Sequence, residues 1–375
     1  MEQPACVYTS YSKLCYMQLS PSPIYGSPRD RDLFVGREAE LQRAVAAVAS
    51  GLNTLVVGPR RIGKSSFLHR LGQLLHDPHH SRARGLEPSP WYQVSTSDGV
   101  LARFAPVMGD VGDLRAVYVP GEQASGAREL LTECFVAASD NQFTARVAAR
   151  TTEELGDVIE LFRQDVAAQV ARRGRVVVLL DDPDEAAFHT LFGRFRDLMW
   201  QVEATWVVAG SAGRAIYMAP PADAFFSAVV QLGPLAHDES LELLRRRLPD
   251  VADSVVLERL VDMAQGDPNV LLQVAVDVFV NHADLADVEH NTWRLDEVAA
   301  RLGRPATMLV AELLSLGPVS ASDPVLLSRL GWTRPRLLQV LQQLEEAGVA
   351  QSERAKVDGK SRRLFWLTSA PGAKL

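Results

Sequence analysis

Apolar positions along the chain fall into two patterns, short unbroken runs and runs at helical spacing. Leu55-Val56-Val57 is unbroken, and Ser66 to Leu71 (SFLHRL) follows with apolar residues at helical spacing, which predicts strand, loop and helix in that order. Ala116-Val117-Tyr118-Val119 reads as the next strand. Arg175-Val176-Val177-Val178-Leu179-Leu180 is a longer unbroken run, of the kind found in strands covered on both faces. Thr205 to Ser211 reads as a further strand. Strands separated by helical segments predict an α/β class with a parallel sheet and helices on both faces.

The pattern changes near Ala306. Thr307 to Leu316 is a short amphipathic helix ending at Gly317-Pro318, and a second runs from Asp323-Pro324 to Leu330-Gly331, with Ser322 as its expected cap. Thr333 to Ala347 is a third, carrying Leu337, Leu338, Leu341 and Leu344 on one face, with Gly348 as its stop. Two strand-like segments follow, Val349 to Arg354 and Arg362 to Thr368, joined by the turn Val357-Asp358-Gly359-Lys360. Three helices and a hairpin predict a winged helix-turn-helix, whose third helix ordinarily enters the major groove. Arg334 and Arg336 stand at the start of that helix. Arg354, Lys356, Lys360, Arg362 and Arg363 decorate the wing, an arrangement suited to phosphate contact. The same module serves equally as an intramolecular clamp, and Glu345, Glu346 and Glu353 dilute its basic surface.

Composition narrows the class. With 375 residues, 47% hydrophobic and 23% charged, a globular protein of two or three domains is expected. No apolar run reaches the roughly 18 residues that span a bilayer. The first residues lack the basic and apolar regions of a signal peptide, so a cytoplasmic location is expected. Cys6, Cys15 and Cys134 have neither metal nor disulfide spacing, consistent with free thiols in a reducing compartment. The net charge of −7 divides unevenly. Residues 301–375 hold eleven Lys/Arg against six Asp/Glu, a net of +5, and the preceding 300 carry −12. Nucleic-acid contact is therefore expected only at the C-terminal end.

The chemistry concentrates around the first strand. Gly58-Pro59-Arg60-Arg61-Ile62-Gly63-Lys64-Ser65, continued by Ser66, fits G-x-x-x-x-G-K-[ST] between a strand and a helix. Glycines let backbone N–H groups turn toward phosphates, and the helix adds its positive end. Lys64 is expected to reach the β and γ phosphates and the Ser65 hydroxyl to bind Mg2+. The strand ending Leu180-Asp181-Asp182 supplies the acidic partner: Asp181 to hold the metal through water, Asp182 to orient the attacking water. Ser211, at the end of the next strand, is a candidate γ-phosphate sensor or an ordinary strand-end serine; Arg214 is a weaker candidate for sensing charge. His76, His79 and His80 lie close together without a regularly spaced acidic or cysteine partner, which favours a solvated loop over a metal site.

Several motifs carry a family resemblance. Leu33-Phe34-Val35-Gly36-Arg37-Glu38-Ala39-Glu40-Leu41 resembles the F-x-G-R-x-x-E-L box of origin-recognition AAA+ ATPases and STAND signal-transduction ATPases. Gln231-Leu232-Gly233-Pro234-Leu235, with Glu239, Leu243 and Leu244, resembles the start of their helical lid. Gly266-Asp267-Pro268 resembles the G-x-P signature of STAND proteins. The match covers about residues 33 to 275 and is strongest to compact prokaryotic STAND ATPases with a C-terminal winged helix. It implies that Val35, Gly36 and Arg37 lie near the adenine and that Pro268 packs on the nucleotide. It implies an N-terminal extension (1–30), a P-loop core (31–232), a helical lid (233–302) and a winged helix (303–375). The stretch 76–115 departs from it as an insertion, a candidate partner-binding feature.

The function this implies is a slow ATP hydrolase that uses ATP/ADP and Mg2+ as a conformational switch. Asp182 is one methylene shorter than the glutamate of fast AAA+ motors, and small misplacements of the attacking water cost rate steeply. An ATP-regulated DNA-binding initiator or regulator is the alternative, and an adaptor that holds nucleotide without turnover is a third. A protein partner, DNA or a homo-oligomer would receive the output.

Overall fold

The unbroken apolar runs become neighbouring strands of one parallel sheet. The structure, a computed structural model, describes residue 19 and residues 33–59, 61–75, 114–121, 124–210, 217–249, 251, 253–286, 288, 301–316, 318–357 and 360–367. Most of the expected N-terminal extension and of the 76–115 insertion, the three histidines within it, and Arg60, Ser211 and Arg214 lie outside these residues. The chain divides into two compact units, Ser22–Arg246 and Arg247–Leu375, the latter grouped with Met1–Pro21.

In the first unit, helix α1 (Glu38–Ala49) precedes strand β1 (Thr54–Val57), and helix α2 (Lys64–Leu75) leaves the loop after it. Strand β2 (Leu114–Pro120) is followed by helices α3 (Ala127–Ala138), α4 (Gln142–Thr151) and α5 (Leu155–Arg173). Strand β3 (Arg175–Asp181), a broken helical stretch over 185–199, strand β4 (Ala204–Gly210), strand β5 (Ala228–Gln231) and helix α6 (His237–Arg247) complete it. Strand order is β2-β3-β4-β1-β5, with every pairing parallel. This is the P-loop α/β fold: the strand feeding the glycine loop sits inside the sheet, one strand away from the acidic strand.

Period-two alternation explains why helices cover both faces. Leu55, Val57, Val178, Leu180, Trp206 and Val208 point to one side, where α3 and α5 contribute Leu131, Cys134 and Phe162. Val56, Val177, Leu179, Val207 and Ala209 point to the other, against Val45 and Val48 of α1 and Phe67, Leu68 and Leu71 of α2. Cys134 is fully buried, and burial raises its thiol pKa far above the ordinary value. At the N-terminal ends of the central strands, Asn53 accepts the Trp206 N–H through Oδ1 and the Ala228 N–H through its carbonyl, tying β4 and β5 together across β1.

Two features escape the hydrophobic pattern. Strand β5 is only four residues long and half-buried for half of them, so it gives little signal. Strand β2 begins at Leu114, two residues before its apolar run and inside the stretch expected as insertion, because the ladder to β3 starts with Leu114 opposite Arg175.

The second unit contains helices α7 (Ser254–Ala264) and α8 (Pro268–Phe279), then α9 (Arg304–Leu316), strand β6 (Val319–Ser320), α10 (Pro324–Leu330), α11 (Arg334–Glu346) and strands β7 (Ala350–Val357) and β8 (Lys360–Leu367). The three strands form an antiparallel sheet in the order β6-β8-β7. Leu309, Leu313, Leu337, Leu341 and Phe365 are buried in one core beneath it. The expected hairpin is present, its strands pairing up to Val357 opposite Lys360. Strand β6 is an addition, too short for its pattern to be read. The cap of α10 is Asp323, whose Oδ1 accepts the Leu326 N–H, whereas the Ser322 hydroxyl pairs with that of Ser320. Among the described residues no helix is long and apolar enough to cross a membrane.

Candidate nucleotide site

The site forms where β1 and β3 end, two strand spacings or roughly 10 Å apart, with the first turn of α2 reaching across. Gly58 opens the loop in close contact with the chain beyond β5. A Cβ there would lie 2.6 Å from the Leu232 carbonyl oxygen, and the Leu232 N–H is bonded to the Val57 carbonyl. Gly63 has φ +98 with open space around it, so dihedral freedom is what that position demands. Arg61 is also left-handed, at φ 60, and its side chain is exposed. Ile62 is buried among the residues of α1 and α2, anchoring the loop from beneath, while Ser66 is half-buried in α2.

Lys64 is 7% exposed, and its Nζ donates to the carbonyls of Gly58 at 3.0 Å and Pro59 at 2.7 Å. The ammonium is thus held inside the curve of the loop.

Asp181 is equally buried, and its Oδ2 accepts the Tyr118 hydroxyl at 2.7 Å. The Ser65 side chain also acts on this carboxylate, favouring its charged form. Burial raises the Asp181 pKa above the ordinary carboxylate value, and the charge of Asp182 adds to the rise. The Ser65 and Tyr118 hydrogen bonds and the charge of Lys64 oppose it. Asp182 is half-buried, left-handed at φ 46, and its N–H is bonded to the Ala209 carbonyl. That turn fits because residue 121 is glycine: a Cβ there would lie 2.7 Å from the Pro183 Cα.

The F-x-G-R box meets the phosphate loop through Arg37. Arg37 is left-handed at φ 64 and 6% exposed, and its guanidinium donates to the Ile62 carbonyl at 3.5 Å. Desolvation lowers its pKa, opposed by the charges of Glu40 and Glu239. The Arg37 N–H donates to Glu239 Oε1 at 3.1 Å, while Glu239 Oε2 accepts the Ala236 N–H at the start of α6, half of a capping box. Gly36 makes room for this contact: a Cβ there would lie 2.4 Å from Glu239 Oε1. Val35 is half-buried beside it.

The structure therefore brings together Gly58, Pro59, Ile62, Gly63, Lys64, Ser65, Asp181 and Asp182, with Gly36 and Arg37 joined to them through Ile62. Ser65 and Asp181 offer hard oxygen donors, which suit Mg2+. Among the described residues no group of three or more His, Cys, Asp or Glu side chains is placed to hold a metal ion. Two contributors were not singled out as site residues from sequence, Tyr118 and Glu239. Both act through register and capping, which one sequence does not display.

The remaining candidates sit in the second unit. Pro268 is the first residue of α8, capped by Asp267, whose side chain accepts the Asn269 and Val270 N–H groups. Arg334 and Arg336 are exposed at the start of α11, and Arg336 donates to Gln339. Arg362 is half-buried on β8. Arg363 is engaged: it meets both Glu345 oxygens at 2.9 and 2.7 Å, donates to Ser352, and lies over the Phe365 ring. The Lys360 side chain is outside the described residues.

No protein-family model matches the chain, and no curated protein matches it in sequence. Solved structures do resemble it. The Aeropyrum pernix Orc1 protein, in complex with DNA, is 16% identical over 90% of each chain, with a TM-score of 0.48. Cdc6p from Pyrobaculum aerophilum is 15% identical over 95% of this chain and 94% of its own, at 0.44. The Thermotoga maritima RuvB Holliday junction branch migration motor is 16% identical over 90% and 93%, at 0.37. The P-loop fold of this chain rests on its own strand order and loop geometry.

Proposed function

We propose that the protein is a P-loop ATPase of the AAA+/STAND kind, working as a slow nucleotide-dependent switch. The observation that carries this reading is the meeting of Ser65 and Asp181 at the mouth of the loop that holds Lys64. In this reading the backbone N–H groups of Gly58 and of residues 60–63, Arg60 and Arg61 included, cradle the phosphates, and Lys64 exchanges its carbonyl partners for β and γ oxygens. Ser65 and Asp181 hold Mg2+, which supplies charge neutralisation during phosphoryl transfer. Asp182 orients the attacking water, and Ser211, beyond β4, reads the γ-phosphate. Val35, Gly36 and Arg37 border the adenine, and Pro268 closes on the nucleotide from the lid (233–302). Linkage of Arg37 to both Ile62 and Glu239 gives phosphate occupancy a direct route to the first turn of α6.

The test is ATP turnover by the wild type, Lys64→Ala and Asp181→Ala. Weak wild-type hydrolysis that drops at least tenfold in both variants is expected. Equal rates in all three would sink hydrolysis, and the nucleotide-holding adaptor would remain if ADP or ATP still bound.

A second reading concerns residues 303–375, taken as a winged helix that contacts DNA. It is favoured by the exposure of Arg334 and Arg336 together on the first turn of α11.

A further inference from the structure

The acidic end of β3 is held from two sides. One side is Ser65. The other is Tyr118, which reaches Asp181 from the neighbouring strand because the β2–β3 register sets Pro120 opposite Asp181 and Tyr118 two residues earlier. The Tyr118 ring is itself fixed. It stacks on the His69 imidazole with centroids 4.0 Å apart and planes 28° from parallel. His69 is one turn after Ser65 on α2, so the two share a helix face. Ser65, Asp181, Tyr118 and His69 therefore close a ring of contacts: loop helix to acidic strand, acidic strand to β2, and β2 back to the loop helix.

We propose that Tyr118 is a positioning residue of the cation site, holding the Asp181 carboxylate in the orientation that receives Mg2+ and bracing it against the helix that carries the phosphate loop. This rests on the nucleotide-site reading above. With Mg2+ bound, Ser65 would offer it an oxygen lone pair, whereas the Tyr118 hydroxyl, by donating to Asp181, would act through the carboxylate. A buried carboxylate without fixed donors turns toward whatever polar group is nearest, so its alignment depends on such partners. Outer partners of metal ligands typically change metal affinity by about 10- to 100-fold when removed.

Tyr118→Phe deletes the hydroxyl and keeps the ring on His69. The experiment is binding of a fluorescent ADP analogue to the full chain, titrated with Mg2+ and repeated in EDTA, with thermal unfolding of both proteins. We expect half-saturation in Mg2+ to rise about tenfold in Tyr118→Phe, with affinity in EDTA and unfolding temperature unchanged. Unchanged Mg2+ half-saturation would overturn the inference and leave the nucleotide reading intact. Equal weakening with and without Mg2+ would also overturn it, because that is the mark of a merely structural tyrosine. A wild type that binds no nucleotide in either condition would remove the reading and the inference together.

Discussion

At the scale of single residues, the glycines of the phosphate loop serve different ends. Gly63 supplies a dihedral, whereas Gly58 supplies absence of volume against a backbone carbonyl. A carbonyl in a strand exit moves only with its strand, so the clash at Gly58 has no inexpensive relief. Gly58→Ala is expected to lower unfolding free energy by about 1–3 kcal/mol and to weaken nucleotide binding, both read by denaturant titration with and without ADP. The motif spacing identified both glycines from sequence alone. It could not say which was there for conformation and which for space, since the neighbour of Gly58 is Leu232, 174 residues away in the chain. Tyr118 escaped notice for the same reason: its partner Asp181 is set by strand register.

At the scale of elements, α8 carries a buried carboxyl that the nucleotide site does not use. Asp277 is 7% exposed; desolvation raises its pKa to about 6, and the Asn281 amide hydrogen bond only partly opposes the rise. The folded value lies above that of an unfolded aspartate, so the folded chain binds this proton more tightly. Stability from this group is complete below about pH 4 and is lost as pH rises toward 6, after which the penalty is constant. Asp277→Asn is expected to stabilise the protein at pH 7 by at most about 3 kcal/mol, and to do so far less at pH 4. Urea unfolding of wild type and variant at the two pH values measures the difference, and an equal shift at both would contradict the assignment. Elements with unbroken, fully buried apolar runs, β1, β3 and β4, were legible from sequence because burial on both faces leaves no polar position to confuse the period. Strand β5, as short as β1 but only partly buried, and the two-residue β6 were not. The α10 cap was misassigned by one residue, Asp323 competing with Ser322 for the same role.

At the scale of the whole molecule, charge is distributed against a single binding surface. The first 300 residues carry −12 and the last 75 carry +5, so any DNA contact depends on a few arginines working against an acidic body. Three phosphate contacts, from Arg334, Arg336 and Arg362, predict a loss of about 40-fold in affinity between 50 and 200 mM salt. Arg362→Ala should flatten that slope by about one contact. Arg363→Ala should leave it unchanged, because Glu345 already neutralises that side chain. Absence of binding at 50 mM salt with nucleotide present would leave the C-terminal module as a clamp. The sequence pattern changes near Ala306, whereas the compact units part at Arg246/Arg247, at the end of helix α6, where no change of period marks the break.

Cys134 gives this molecule an internal clock. Its thiol lies beneath the sheet on α3, fully buried, with ionisation suppressed by that burial. An alkylating reagent reaches it only when this layer opens, so the rate of adduct formation on its peptide counts openings of the body. A ligand that binds only the closed form lengthens the interval between openings by the factor 1 + [L]/Kd. Mass spectrometry of that one peptide would then weigh ATP against ADP without any turnover, in a protein whose hydrolysis is expected to be slow.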